Sequence, residues 1–293
     1  MAKKYNRAVD SAVDKFLAQY QRWYSAEQLA SLREPAAKVL LYPHAAPTPA
    51  DAVPTGWYPG AYAISPTHTL DANAADYYVM NPASLLAVLA LDPHPGERIA
   101  DICAAPGGKS IAIAARMRLQ GELLSSDLSS ERMRRMAYNM RRLAIPQQHD
   151  GWQLRLITAS AHTLSKDYAA YFDKVLVDAP CSCEAHVLAD AKELRKWSSS
   201  KSTLLAKRQR KILQSAIKLL RPGGILVYAT CSISPLENDG VIEFILKKLA
   251  PQIQSLSFTS PIGEATALGT LITPWQHRMG PGYVAVFKKS SSI

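Results

Sequence analysis

The stretch ERIADICAAPGGKS at residues 97–110, followed by GELLSSD at 121–127, decides how the rest of the chain is read. ERIADIC is an apolar run of strand length. AAPGGKS breaks it with a proline and two glycines, after which a helix is expected to about Leu119. GELLSSD reads as a second strand that ends on an acid. Strand, glycine turn, helix and strand within about thirty residues make a βαβ unit, whose two strands run parallel.

The alternation continues on both sides. NPASLLAVLAL (81–91) and SERMRRMAYNMRRL (130–143) read as helices, and QLRLITA (153–159) and DKVLVD (173–178) as strands. Thr203–Leu220 is a long helix with Leu205, Ile212, Ala216 and Leu219 on one face. GILVYATC (224–231) is a strand, LENDGVIEFILKKL (236–249) a helix and YVAVFKK (283–289) a closing strand. The expected fold class is α/β, a mostly parallel sheet with helices on both faces. In such sheets ligands bind beyond the carboxyl ends of the strands. Cys103, Asp127, Asp178, Cys181 and Cys231 all fall at or just past such ends, so an active site is expected there.

Upstream the character changes. Residues 5–41 read as helical, with Val9, Val13, Phe16 and Leu17 at helical spacing, a capping box at Ser25 and Gln28, and an interruption at Pro35. Residues 43–75, rich in Pro, Ala, Gly and Thr, read as an irregular connector. The expected organisation is a helical extension with connector over 1–75 and a catalytic domain over 76–293, with no internal repeat.

Of 293 residues, 48% are hydrophobic, enough for a large core. Lys and Arg exceed Asp and Glu by 34 − 24 = 10, which favours a polyanionic partner. Four irregularly spaced cysteines exclude a disulfide framework. None has zinc-finger spacing, so a reducing compartment and no metal site are expected. No apolar run reaches the ~18 residues of a membrane span. MAKKYNRAVDSAVDKF lacks a signal-peptide apolar region, and Asp10 and Asp14 argue against a transit peptide. The expected location is the cytoplasm, with the mitochondrion as the alternative.

In AAPGGKS (104–110), Pro106 stiffens the turn, and Gly107 and Gly108 let backbone approach a ligand closely. The helix behind them offers free N–H groups to an anion. Asp127, about 20 residues on, stands where an acid accepts from ribose hydroxyls. Three cofactor classes compete. The dinucleotide fingerprint G-x-G-x-x-G is absent. A phosphate-binding G-x-x-x-x-G-K-[ST] loop would match Gly108, Lys109 and Ser110, and VLVD could serve as its magnesium strand, but Cys103 stands where the first glycine belongs. S-adenosylmethionine fits best, its carboxylate on the loop amides and its ribose on Asp127.

Two thiols complete the pattern. VLVDAPCSC (175–183) sets Cys181 just past a strand end. YATCSISPLEN (228–238) ends a strand on Cys231, and Ser234 with Glu237 is expected to form a capping box that fixes the following turn. Thiols beside a methyl donor suit carbon five of cytosine. A thiolate adds to carbon six, carbon five becomes nucleophilic and takes the methyl, a base removes its proton, and the thiol leaves. Asp178, if protonated, would stabilise the adduct at ring nitrogen three. Helix N-termini and Lys109 would lower the thiol pKa. The base must leave its stack, which is easiest in single-stranded RNA or loops.

Together these stretches resemble the RNA cytosine-5 methyltransferase family, which includes bacterial ribosomal-RNA enzymes and eukaryotic nucleolar, Sun-type and mitochondrial members. The likeness runs from about Tyr77 to Lys288 and is carried by DICAAPGGKS, SSDLSSERMRRMAYNM, VLVDAPCS and YATCSISPLEN; YYVMNPASLLAVLAL is most similar to the mitochondrial branch. The resemblance implies a class I, Rossmann-like domain with seven mostly parallel strands, the last antiparallel, S-adenosylmethionine as cofactor, and ribosomal RNA as substrate. It implies Cys231 as nucleophile and Cys181 as the cysteine that helps release product, with Asp178 and Lys109 beside them. Cofactor contacts would come from Cys103, Ala104, Ala105, Pro106, Gly107, Gly108, Lys109, Asp127, Arg132, Ser160 and Asp178. Two positions depart from the pattern. Met80 stands where many relatives have glutamine, and Ser160-Ala161 where many have an acid that reads the adenine. Cys183 falls where the family often has glycine and reads as incidental.

Outside those motifs, Lys192–Lys218 reads as an RNA-backbone contact, Trp197 as either a base-stacking or a buried ring, and His186 and His277 as structural. With no appended RNA-binding barrel in view, the N-terminal helices, a protein partner or the ribosomal subunit would help to choose the RNA. Two other readings remain: an idle RNA-binding assembly factor of the same fold, and a DNA cytosine methyltransferase with Cys181 as nucleophile.

Overall fold

The computed structural model describes residues 2–44, 52–64, 70–71 and 74–291, with side chains from Ser11 onward. Helix α1 (Ala2–Tyr20) is followed by α2 (Ala26–Ser31), which starts on the expected capping box: Ser25 Oγ accepts from Gln28 N and Gln28 Oε1 from Ser25 N. Val9 lies outside the described side chains. The helical reading fails beyond Ser31, because Val39–Leu41 is a buried strand, β1. It pairs with β3 (Ala61–Ala63) and β4 (Tyr78–Met80), and β2 (Val53–Pro54) pairs with β3, in a four-stranded antiparallel sheet of order β2-β3-β1-β4. The connector is therefore not wholly irregular, and it buries Tyr58 and Ala61 in the main core. Its stretches 45–51, 65–69 and 72–73 lie outside the described residues.

From α3 (Ala83–Leu91) onward strands and helices alternate. The elements are β5 (Arg98–Ile102), α4 (Gly108–Arg116), β6 (Gly121–Asp127), α5 (Ser130–Arg142), β7 (Gln148–His149), β8 (Trp152–Thr158), α6 (Ala161–Asp167) and β9 (Phe172–Asp178). Then come α7 (Glu184–Ala189), α8 (Ala191–Lys196), α9 (Lys201–Leu219), β10 (Leu220–Thr230) and α10 (Asp239–Leu249). The chain closes through β11 (Ile253–Leu256), β12 (Glu264–Ala265), β13 (Thr270–Ile272), α11 (Pro274–His277) and β14 (Gly282–Lys289).

The large sheet has the order β12-β13-β14-β10-β9-β5-β6-β8-β7, with β11 also on β14. β8, β6, β5, β9 and β10 are mutually parallel, and β14 lies antiparallel on β10, as expected of the final strand. Among the described residues the sheet has ten strands rather than seven. β7, β11, β12 and β13 are two to four residues long, too short for side-chain alternation to register.

Successive side chains of a strand face opposite ways, and the buried strands use both faces. On β9, Leu176 joins the cluster under α3, α4 and α5, while Val175 and Val177 join the one under α6, α9 and α10; on β10, Val227 and Tyr228 divide the same way. α5 buries Met133, Met136 and Met140, and α9 buries Ala206, Gln209, Leu213 and Ala216, each at helical spacing. A third cluster seats Phe16, Tyr20 and Leu29 of the N-terminal helices on Val187, Leu194 and Ile233. Strand order switches between β5, which leads to β6, and its other neighbour β9, so the crevice opens at their carboxyl ends.

Candidate active site

The loop after β5 turns on Gly107, whose φ is 108°, and α4 starts there without a side-chain cap. The first amides of the helix have no intrahelical partner, so they face the crevice unclaimed. Both glycines are needed for packing as well. A Cβ on Gly107 would lie 2.9 Å from Met136 Cγ, and one on Gly108 would lie 2.9 Å from Tyr78 Cε1 and 3.6 Å from Met80 Cε. Tyr78 and Met80 thus roof the loop. Asp101 lies beneath it, fully buried, accepting from Ser110 Oγ at 2.5 Å. Burial pushes its pKa up to about 7, against the opposing bond from Ser110. Sequence reading passed over Asp101, the first residue of DICAAPGGKS, because it precedes the strand end where ligand-facing groups are sought.

Asp127 is buried at the end of β6. Its Oδ1 accepts from Ser129 N at 3.0 Å and its Oδ2 from Arg132 Nη1 at 2.8 Å, while Arg132 Nη2 donates to Ala105 O. Arg132 therefore braces the acid against the loop. A cavity of about 470 Å³ opens beside them, lined by Cys103, Asp127, Leu128, Ser160, His162, Arg208 and Lys211 among others. Ser160 caps α6, its Oγ accepting from Thr163 N at 3.0 Å. Burial raises the Cys103 thiol to about 12, so Cys103 is a wall of the cavity and not a nucleophile.

The thiols converge from two loops. Cys181 Sγ lies 2.9 Å from Cys231 Sγ, and the Cys231 N–H donates to Cys181 Sγ at 3.2 Å. Cys183 is not incidental: its Sγ lies 2.8 Å from Cys231 Sγ and 3.5 Å from Cys181 Sγ. Cys231 is exposed, and the other two are half-buried. Sulfurs this close favour one negative charge among them. A charge on Cys183 accepts hydrogen bonds from Cys181 and Cys231, with His186 and Lys201 nearby, and holds its pKa down. The Cys181 thiol is pushed up by its bonds to Cys183 and Cys231 and by burial. For Cys231 the bond with Cys181 pulls down but is outweighed by the bond and charge of Cys183 and by burial.

Lys109 Nζ lies 2.7 Å from Asp178 Oδ2. Burial would lower the lysine pKa, but the Asp178 charge and hydrogen bond raise it. The Lys109 charge answers Asp178 first and Cys231 after it, while the fall at Cys183 comes first from its sister thiols.

A buried polar network holds the two thiol loops together. Ser182 N donates to Glu237 Oε2 at 3.0 Å, Ile233 N to Glu184 Oε2 at 3.2 Å, and Tyr20 OH to Glu184 Oε1 at 2.6 Å. Ser182 Oγ touches Oε1 of both Glu184 and Glu237. One hydroxyl hydrogen cannot serve two carboxylates, so one of the acids carries a proton. Burial raises both acids, but at Glu184 the bonds from Ser182, Tyr20 and Ser232 oppose it, whereas burial and then the Glu184 charge raise Glu237 to about 7, which favours Glu237 as the holder. The capping box expected at Ser234 does not form. α10 begins at Asp239, Ser234 Oγ has no partner, and Glu237 turns inward to Ser182 and Gln209. Asn238 fixes the turn instead, accepting from Thr230 Oγ1 at 2.7 Å and donating to Ser232 O at 2.9 Å.

Trp197 is half-buried, its ring 5.2 Å from that of Phe16, which falls between the two alternatives. His277 Nε2 accepts from Gly263 N at 2.9 Å, in keeping with a structural role. Among the described residues no helix is long and apolar enough to cross a membrane.

A family model described as 16S rRNA methyltransferase RsmB/F matches residues 88–288. The chain is 33% identical over 225 residues to the ribosomal RNA small subunit methyltransferase F of Klebsiella pneumoniae, covering 74% of this chain and 46% of that protein. It is 29% identical over 201 residues to the tRNA (cytosine(49)-C(5))-methyltransferase of Pyrococcus abyssi, covering 69% and 62%. The chain thus spans about half the length of the curated relatives it matches. Among solved structures, a methyltransferase homolog protein from Pyrococcus horikoshii superposes with a TM-score of 0.74 at 24% identity, covering 95% of this chain and 99% of that one. NSun6 from the same organism, solved with SFG, gives 0.80 at 19%, covering 94% and 97%. These two are likenesses of fold. By the reach of the family match, the chain belongs to the 16S rRNA methyltransferase RsmB/F family.

Proposed function

We propose that this protein methylates carbon five of cytosine in RNA, ribosomal RNA first, with S-adenosylmethionine as methyl donor. The observation that carries the reading is the pair of sulfurs, Cys181 and Cys231, 2.9 Å apart at the carboxyl edge of the sheet beside Lys109 and Asp178. The names of the rRNA and tRNA relatives support the reaction class, and SFG, an analogue of S-adenosylmethionine in the NSun6 structure, supports the cofactor.

The residues present fit that donor. The uncapped amides after Gly107 suit its carboxylate, Asp127 its ribose hydroxyls, and the cavity between Leu128 and Ser160 its adenine. Cys103 to Lys109, Asp127, Arg132, Ser160 and Asp178 form the proposed binding set, with Arg132 acting through Asp127. When bound, the donor supplies an electrophilic sulfonium methyl.

The remaining work falls to this chain's own groups. Cys231, on an exposed residue, loses its proton to solvent and as the thiolate adds to cytosine carbon six. Lys109 and Asp178 hold a paired charge and proton beside the ring. After transfer the carbon-five proton goes to a base, the bond from carbon six to Cys231 breaks, and Cys181 assists that release. The expected division of labour gives residues 76–293 the chemistry and 1–75 a share of RNA recognition, helped by a protein partner or the ribosomal subunit. We place the activity in the cytoplasm, with the mitochondrion as alternative. One observation favours the idle assembly factor: Ser160 spends its hydroxyl on capping α6 where an acid would read the adenine. Incubation with labelled methyl donor and small-subunit ribosomal RNA, followed by bisulfite mapping, tests the reading. It predicts 5-methylcytosine at a defined site; tight RNA binding without incorporation would transfer the case to the assembly factor.

A further inference from the structure

The RNA chemistry proposed above calls on two cysteines, yet the crevice holds three. Cys181, Cys183 and Cys231 bring all three sulfur atoms within 4.8 Å of one another. Cys183 arrives by a demanding backbone: its φ is 52° and its ψ 57°, the left-handed region. A non-glycine residue there is strained, and glycine would remove that strain. The strained turn sets a third sulfur against the other two.

We propose that Cys181, Cys183 and Cys231 form a three-sulfur site for one Zn²⁺ ion, with the fourth position open to solvent. Zinc takes thiolates at about 2.3 Å in a tetrahedron, which puts neighbouring sulfurs about 3.8 Å apart. The present separations are 2.8, 2.9 and 3.5 Å, so the three must spread by no more than about 1 Å. The supporting frame is rigid where it matters. Ser182, between two of the ligands, is tied to Glu237 through both its N–H and its hydroxyl, and Ser232, next to the third, donates to Glu184 Oε1 at 2.9 Å. Such second-sphere bonds hold first-sphere ligands in place. The fourth position is open because, among the described residues, no fourth His, Cys, Asp or Glu joins the three sulfurs. Binding converts three thiols to three Zn–S bonds and releases the protons they held to buffer. The sequence hides this site, because the ligands lie at 181, 183 and 231 with no C-x-x-C spacing.

The site does not depend on the methylation reading. If that reading holds, a seated ion occupies the Cys231 nucleophile and makes the enzyme zinc-inhibitable.

The test is a chelator-competition titration of the purified full chain with Zn²⁺ under a non-thiol reductant, alongside the ultraviolet sulfur-to-metal charge-transfer band of the Cd²⁺ form. The expected result is one ion per chain with a sub-micromolar dissociation constant and a charge-transfer band from three sulfurs. Cys183→Gly, which relaxes the left-handed residue and so keeps the fold, and Cys183→Ser should each weaken Zn²⁺ binding by more than the roughly 10- to 100-fold that loss of an outer-shell partner costs. Wild-type affinity retained in both variants, or no charge-transfer band in the parent, would overturn the proposal. Both readouts are blind to methyl transfer, so they stand or fall apart from the activity assay.

Discussion

Cys181 Sγ and Cys231 Sγ stand 2.9 Å apart, although fifty residues separate them in the chain. Parallel strands β9 and β10 are neighbours, and each delivers one thiol just past its carboxyl end. The network through Ser182, Glu184, Ser232 and Glu237 then locks the two loops in register.

That network makes stability depend on pH. Glu237 is raised from an ordinary 4.5 to about 7 by burial, so the folded state holds a proton that the unfolded chain releases earlier. Its contribution is full below pH 4.5 and disappears as pH rises through about 7, a change of up to about 3 kcal/mol. Glu237→Gln keeps a neutral side chain and should flatten the fall in urea midpoint between pH 5 and pH 8. An unchanged slope would show that Glu237 is not the proton holder.

The glycine turn predicts a split between its two residues. Gly107→Ala forces a Cβ onto a φ of 108° and against Met136, and should lower thermal stability by about 1–3 kcal/mol. Gly108→Ala has no such backbone strain but must displace Tyr78, so its larger effect should be on cofactor affinity. Calorimetric titration with S-adenosylmethionine and thermal melts of both variants separate the two effects.

Asp127 and Ser160 should move cofactor affinity in opposite directions. Asp127→Asn removes the charged acceptor and should weaken S-adenosylmethionine binding about 10- to 100-fold. Ser160→Asp keeps an α6 cap, since Asp caps as well as Ser, and adds an acid to the cavity wall; binding should tighten up to about tenfold. Equilibrium binding of the donor measures both, and a Ser160→Asp variant that binds no better would show that the cavity does not use an acid there.

Much of this was legible in the sequence, and the failures have physical causes. β9 and β10 announced themselves through VLV and ILVYA, because a strand buried on both faces is a continuous apolar run. Asp127, Asp178, Cys181 and Cys231 were readable from their places at strand ends. Val39–Leu41 was lost among helices because three residues carry no period, and its partners in β3 and β4 are distant in the chain. Glu237 was misread because a local capping pattern and a long-range tertiary partner compete for one side chain, and the partner, Ser182, lies fifty-five residues away. Cys183 was set aside because a resemblance weighs positions by what relatives hold there, while its role follows from distances only a fold can give.

The two-thiol account is tested most directly by Cys181→Ala incubated with RNA and S-adenosylmethionine and run on a denaturing gel. The account predicts a slow-migrating enzyme–RNA species that vanishes when Cys231→Ala is added to the same chain. No trapped species, or one that survives the loss of Cys231, would contradict it.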